Sequence, residues 1–321
     1  MPLSLQEGAA LLTDVRRSIA SRILGQDEGI EDALAAFIAR GHVLIEGVPG
    51  TAKTLLARSL AASLGLKFGR IQFTPDLMPA DVTGVSLYRD HTKSFEFQPG
   101  PVFTELLLAD EINRAPAKTQ SSLLEAMGER QVTVDGTSRL LDSAFTVIAT
   151  QNPVEHEGTF PLPEAQLDRF LLKVVISYPP ESAELAMLAL HEQGFDPESS
   201  QTVPLLSPTL GPGQAREVRE LVDQVRVAPE VRAYIAAITR ATRDDPALSL
   251  GASPRATVAV MRVARAGAVL EGRDYVTPDD VKARAIAALR HRITLAPEVE
   301  VEGRTPDDVL ASVLARIPTP A

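Results

Sequence analysis

The chain has no cysteine. Disulfide frameworks, thiol catalysis and thiolate metal sites are therefore excluded. It also lacks tryptophan, and aromatic residues make up only 4% of it, a poor supply for base-stacking platforms. No apolar run approaches the roughly 18 uncharged residues that a membrane span requires. The opening Met1-Pro2-Leu3-Ser4 has no basic stretch leading into an apolar segment, so no secretory signal is read there. No membrane insertion and a cytoplasmic location are expected. Positive charge is the minority: 32 Lys+Arg against 42 Asp+Glu give a formal net charge of −10. Such a chain repels phosphate backbones on average, which disfavours nucleic acid as a partner, although a local basic patch remains compatible with it. The rest is ordinary for a globular protein, with 321 residues, 45% hydrophobic and 23% charged. That length suggests two domains and can bury a large core.

Residues 5–40 read as helices, with Leu11, Leu12, Val15 and Ile19, then Ile30, Leu34, Phe37 and Ile38, at helical spacing around a break at Leu24-Gly25-Gln26. Five short apolar runs follow, at 42–46, 70–73, 106–110, 145–149 and 171–176, separated by helical segments such as Thr54 to Leu64. Apolar strands alternating with helices predict a doubly wound α/β fold, here a parallel five-stranded sheet covered on both faces. Residues 76–104 look like an insertion with a hairpin. Asp135-Gly136 between β-prone runs predicts a second hairpin over 131–141. Beyond Tyr178-Pro179-Pro180 strand signals cease, and 194–213 read as a Pro/Gly/Ser-rich linker. Ser253-Pro254, Thr277-Pro278 and Thr305-Pro306 mark three helix starts. The expectation is an α/β domain over 1–180 and a smaller all-helical domain over 181–321.

Gly47-Val48-Pro49-Gly50-Thr51-Ala52-Lys53-Thr54 lies between a strand and a helix, the place of a phosphate-binding loop. Glycines let amide N–H groups converge on phosphates, and the helix N-terminus adds its dipole. Lys53 can reach the β- and γ-phosphates of a nucleotide, and Thr54 can offer a hydroxyl to Mg2+. The strict pattern has glycine where Ala52 stands; alanine costs little there if its φ is negative. Asp110-Glu111 closes the strand run 106–109. Asp110 is read as the second metal ligand and Glu111 as the base that polarises a water against the γ-phosphate. An isolated Asp-Glu would be a solvated loop pair; beside the phosphate loop the catalytic reading is favoured.

Asp110-Glu111-Ile112-Asn113-Arg114-Ala115 resembles the Walker B region of AAA+ ATPases, in particular the MoxR family. The loop 47–54 resembles that family's Walker A, in which alanine before the lysine is common. Gln151-Asn152-Pro153 and Gly158 to Phe170 are similar to further MoxR motifs, and the resemblance covers nearly the whole chain. It implies an AAA+ core with a helical lid, and Mg·ATP held between them. Asn152 would be sensor 1, touching the attacking water or γ-phosphate; by itself it could equally be a turn residue before proline. Arg169 would be the arginine finger, offered to the neighbouring subunit, with Arg114 as a weaker candidate and a salt bridge to Asp168 or Glu164 as the bland alternative. Arg255 would be sensor 2, reaching a phosphate on its own subunit from a first helical turn, where the dipole disfavours a cation. Leu24-Gly25-Gln26 would line the adenine pocket. The inserts at 76–104 and 131–141 would face a ring pore or partner.

The resemblance further implies a homo-oligomeric ring, a hexamer, remodelling a protein client, for which a von Willebrand factor A domain protein is the candidate. Two rivals stay open: a nucleotide-gated binding module with negligible turnover, and a chelatase-type or nucleic-acid motor subunit. Glu155-His156-Glu157 looks metal-like but is discounted, and Arg284, Arg290, His291 and Arg292 read as a solvated basic face.

Overall fold

The computed structural model describes residues 3–91, 93–153, 159–196 and 206–320. Helix α1 (Leu5–Ala20) begins at a capping box between Ser4 and Glu7 and buries Leu12, Val15 and Ile19 on one face. Helix α2 (Asp27–Ile38) is buried along nearly its whole length, because it is enclosed by the sheet on one side and by later helices on the other. Then β1 (Val43–Gly47), α3 (Lys53–Ser63) and β2 (Phe68–Gln72) lead into the insertion, made of α4 (Pro79–Thr83) and the hairpin β3 (Gly84–Arg89) and β4 (Ser94–Pro99). The chain returns through β5 (Leu106–Asp110), α5 (Ala117–Glu129) and the hairpin β6 (Gln131–Val134) and β7 (Thr137–Leu140), which turns at Asp135-Gly136. It finishes this layer with β8 (Thr146–Gln151), α6 (Glu164–Leu167), β9 (Leu172–Ile176) and α7 (Glu181–Glu192).

The sheet has five parallel strands in the order β2-β5-β8-β1-β9. The inner strand β5 and the first five residues of β8 are buried throughout, whereas the edge strand β2 buries only Ile71 and the edge strand β9 alternates between buried and more exposed positions. That contrast explains why the central runs are continuous in apolar residues. Val43 and Ile45 point into one core with α1, α2 and α3; Leu44, Leu107 and Val147 point into the other with Leu123, Leu124 and Met127 of α5. Parallel pairing puts every strand's C-terminus on one edge, called here the carboxyl edge: Gly47, Gln72, Asp110, Gln151 and Ile176. The amino edge lies a strand's length away, roughly 17 Å for five residues.

Residues 206–320 form α8 (Gln214–Glu220), α9 (Pro229–Ala241), β10 (Leu248–Leu250), α10 (Pro254–Leu270), α11 (Pro278–Leu289), β11 (Thr294–Leu295), α12 (Pro297–Val301) and α13 (Pro306–Arg316). All three expected helix starts occur, with Ser253, Thr277 and Thr305 accepting from the third residue on. The region is the expected helical domain, with one addition: the short strands β10 and β11 pair antiparallel, a pairing across more than 40 residues that local periodicity does not report. One expectation fails here, that the basic cluster is a solvated face. Arg284, His291 and Arg292 are buried, because α11 packs on β9 and α10. Among the described residues no helix is long and apolar enough to cross a membrane. Glu155-His156-Glu157, Gly158 and the middle of the linker, 197–205, lie outside the described residues.

Candidate active site

The loop 48–52 leaves β1 where the strand order reverses, the position at which open α/β sheets hold ligands. Gly47 has no room for a side chain, since a Cβ would lie 2.6 Å from the Ile176 carbonyl. Gly50 has φ +82 and open space around it. Thr51 Oγ1 donates to Val48 O at 2.8 Å and closes the loop. Ala52 has φ +62, the left-handed region. The low cost expected for alanine therefore does not hold: this backbone suits glycine, and a Cβ there carries strain on the order of 1–2 kcal/mol. As N-cap, Ala52 also offers no side-chain acceptor to α3, so the first-turn amides remain available to an anion.

Lys53 Nζ donates to Gly47 O at 2.7 Å and Val48 O at 2.6 Å. Burial lowers its pKa, while Asp110 and Glu111 pull the other way. Asp110 ends β5, beside the loop. Its Oδ1 accepts from Thr150 Oγ1 at 2.6 Å; its Oδ2 accepts from Arg70 Nη2 at 2.6 Å and Thr54 Oγ1 at 3.4 Å. A hydroxyl and a carboxylate that close are hard oxygen donors, a set that suits Mg2+ with waters completing its shell. Glu111 sits in the left-handed region, φ 54. Its amide donates to Thr150 Oγ1 at 2.9 Å, and its Oε2 accepts from Gln72 Nε2 at 2.7 Å and Arg114 Nη1 at 3.0 Å. Asn152 follows β8, the strand between β5 and β1, and is buried. Gln26 Nε2 donates to Ser177 O at 2.9 Å, beyond β9. Gly25 (φ +72) packs against Pro180 and Ala183. These groups share the carboxyl edge.

Arg70, Gln72 and Thr150 are absent from the sequence reading. Arg70 and Gln72 lie on β2 and Thr150 on β8, strands flanking β5. Only the sheet order brings them to the acids, so a motif search along the chain has nothing to find. Arg114, the weaker finger candidate, pairs with Glu111 of its own chain.

Arg169 and Arg255 are elsewhere. Arg169 lies just before β9, and Leu171 N donates to His42 O ahead of β1. That is the amino edge, so a strand's length separates Arg169 from its own phosphate loop. The guanidinium is exposed, donates to Leu124 O, and runs past Gly128, where a Cβ would collide with it. Among the described residues the alternative, a salt bridge to Asp168 or Glu164, is not made. Asp168 is occupied by Arg292 at 2.6 Å and Arg255 at 3.5 Å. Arg255 therefore also stands at the amino edge, which overturns its assignment to a phosphate on the same subunit. Asp168 offsets the unfavourable dipole there. The reason is the packing of α10, whose Arg262 donates to Ala39 O and Arg40 O at the end of α2. Arg169 and Arg255 line one cavity of about 500 Å³ with Arg40, Arg130, Arg262 and Arg292. Among the described residues no carboxylate lies within ion-pair distance of Arg130, Arg169 or Arg262. The hydrogen bonds and ion pairs of residues 47–54 also involve no residue of 206–320, so the expected placement of the nucleotide between core and lid of one chain is not supported by this packing.

His42 is fully enclosed beside that cavity. Its Nδ1 accepts from Val147 N at 2.9 Å, and its Nε2 faces Met127 O at 3.2 Å. Burial, with three arginines nearby, lowers its pKa to about 3.

Residues 42–172 match the profile of the ATPase family associated with various cellular activities (AAA), and residues 240–313 match that of the AAA lid domain. The chain is 47% identical to the uncharacterized protein YeaC of Bacillus subtilis, over 90% of this chain and 88% of that one. It is 41% identical to the chaperone MoxR1 of Mycobacterium tuberculosis, over 93% and 79%. A crystal structure of a candidate ATPase from Cytophaga hutchinsonii superposes with a TM-score of 0.88 at 38% identity, covering 99% of this chain and 97% of that one.

Proposed function

The chain belongs to the MoxR family of AAA+ ATPases, and on that premise we propose that it binds and hydrolyses Mg·ATP in a homo-oligomeric ring, a hexamer, to remodel or mature a protein client in the cytoplasm. The observation that carries this reading is the division of the sheet into two half-sites. The phosphate loop and the acids occupy the carboxyl edge; Arg169 and Arg255 occupy the amino edge, where their own nucleotide is out of reach. A second copy docked head to tail completes both halves, and a closed series of such contacts is a ring.

In this reading the amides of 50–54 and Lys53 hold the phosphate chain, and Gln26 with its neighbours holds the base. Thr54 and Asp110 would hold Mg2+, which would supply charge neutralisation to the phosphates. Glu111 takes the proton of the attacking water, and Asn152 orients that water. Arg169 of the next copy meets the charge that develops on the γ-phosphate, and Arg255 contributes from the same side, in trans. A relative named as a chaperone supports the remodelling role, and a von Willebrand factor A domain protein is the client class proposed.

The test is ATP turnover by the assembled wild type and by Glu111→Gln. A deep loss in the variant, with nucleotide uptake intact, supports the enzyme. One observation favours a second reading, a nucleotide-gated binding module: both acids are already engaged, Asp110 by Arg70 and Glu111 by Gln72 and Arg114. Wild-type turnover no faster than that of Glu111→Gln would establish it instead.

A further inference from the structure

Just past α11, Arg292 enters the amino edge from the C-terminal helical region. Its side chain is 3% exposed. All five N–H groups of its guanidinium are used. Nε donates to Asp168 Oδ1 at 2.6 Å, and Nη2 to Asp168 O at 3.3 Å and Phe170 O at 2.6 Å. Nη1 donates to Leu171 O at 3.0 Å and to Ala288 O. Four of the five bonds end on residues 168–171. The preceding residue joins in: His291 Nε2 lies 3.0 Å from Phe170 O. Thr294 Oγ1 donates to Glu164 Oε1 at 2.9 Å.

A buried guanidinium is costly unless its donors are satisfied, and most of these bonds go to one irregular segment. That segment links the four-residue α6 to β9 and carries Arg169. Ahead of Leu171 it has no strand partner to hold it, and the Arg169 side chain has one backbone anchor, Leu124 O. The amides of 168–170 bond only back to residues 164–167, whereas the carbonyls of 168, 170 and 171 are taken by Arg292, which ties the segment to the C-terminal region. We propose that Arg292 is a positioning residue for the arginine finger: it holds segment 168–171 so that Arg169 is presented to the nucleotide of the adjoining copy. This rests on the reading of Arg169 given above. A displacement of about 1 Å in such a group costs on the order of 100-fold in rate.

Arg292→Lys keeps the charge but not the planar fork. Its kcat for ATP should fall about tenfold to 100-fold, with KM within about threefold of wild type, because its own phosphate loop is untouched. The deciding experiment mixes subunits of the full chain. Lys53→Ala subunits have a defective phosphate loop and an intact finger. Added to Arg292→Lys, they should restore turnover, as they should for Arg169→Ala; Arg169→Ala added to Arg292→Lys should restore nothing. Wild-type turnover by Arg292→Lys alone overturns the proposal. So does failure of the Lys53→Ala mixture to restore it while the Arg169→Ala mixture recovers, since the damage then lies elsewhere. Failure of both mixtures overturns the finger in trans and this proposal with it. Should Arg292→Lys not fold by circular dichroism, Asp168→Asn, which removes the carboxylate that Arg292 grips, goes through the same mixtures.

Discussion

The two edges of the sheet are built in opposite ways. At the carboxyl edge the principal groups follow directly from strands: 47–54 after β1, 110–111 after β5, Asn152 after β8. Its acids are matched by cations from the same chain, Arg70 and Arg114. At the amino edge Arg40, Arg130, Arg169, Arg255 and Arg262 come from separate segments and converge on one cavity, within a chain of net charge −10. Burial, and after it the neighbouring arginines, lowers the pKa of two of them, Arg130 and Arg262. One edge is nearly complete in its charges; the other holds more cations than carboxylates, with Asp168 and Glu129 against six arginines around one cavity. The lesson is that the two edges are complementary, and that no single copy brings them together.

The strongest way to break the comparison is to remove one group from each edge. Arg169→Ala should lower ATP turnover on the order of 1,000-fold or more, and Glu111→Gln about 100-fold to 10,000-fold, both with nucleotide binding retained by calorimetry. Equal loss from edges a strand apart is expected only if both serve one reaction. A deficit confined to Glu111→Gln would separate them.

Acid should attack the amino edge first. His42 titrates near 3 when folded and near 6.5 when unfolded. Its folded pKa is depressed, so its contribution is fully present above about pH 6.5 and is lost as pH falls towards 3. The loss between pH 7 and 4.5 is about 2.5 kcal/mol. Asp32 acts in the opposite sense: burial raises its pKa to about 6, so its penalty appears as pH rises from about 4 to 6. The measurement is therefore the difference between wild type and His42→Gln, which retains a donor and an acceptor for Met127 O and Val147 N. Urea titrations at the two pH values should show the variant losing less stability on acidification by about that amount.

Gln72→Ala sharpens the account of the carboxyl edge. Freed from one of its two restraints, Glu111 should turn over ATP about threefold to tenfold faster at saturating nucleotide, about 1 kcal/mol in barrier. No change or a loss would mean that Gln72 orients Glu111 instead of holding it back. The smallest effect concerns Ala52. Ala52→Gly should relieve the left-handed backbone, raise stability by at most about 1 kcal/mol, and change turnover less than twofold. Destabilisation beyond that would contradict the strain assigned to Ala52.

Much of this was legible along the chain. The strand runs, the Asp135-Gly136 turn and the three caps depend on residues within a few positions of one another, and each occurs where local chemistry places it. The Walker motifs are equally local, since a phosphate loop needs one strand, one turn and one helix start. Ala52 was misjudged because φ is set by how the loop closes on Val48 and Ile176, not by residue type. Arg292 was misjudged because a run of basic residues reads as surface, whereas four acceptors on the distant segment 168–171 and a fifth on Ala288 justify its burial.

From the sequence alone came the element types, the parallel sheet and the identity of the phosphate loop and its acids, since these rest on spacing between near neighbours. The tertiary structure alone decided which edge each arginine occupies, that Gln72 and Arg70 meet the acids, and that Arg255 lies beside Asp168 instead of beside residues 47–54. Those outcomes depend on the order in which strands more than 30 residues apart pair and on where α10 and α11 pack, and long-range pairing leaves no local period to read.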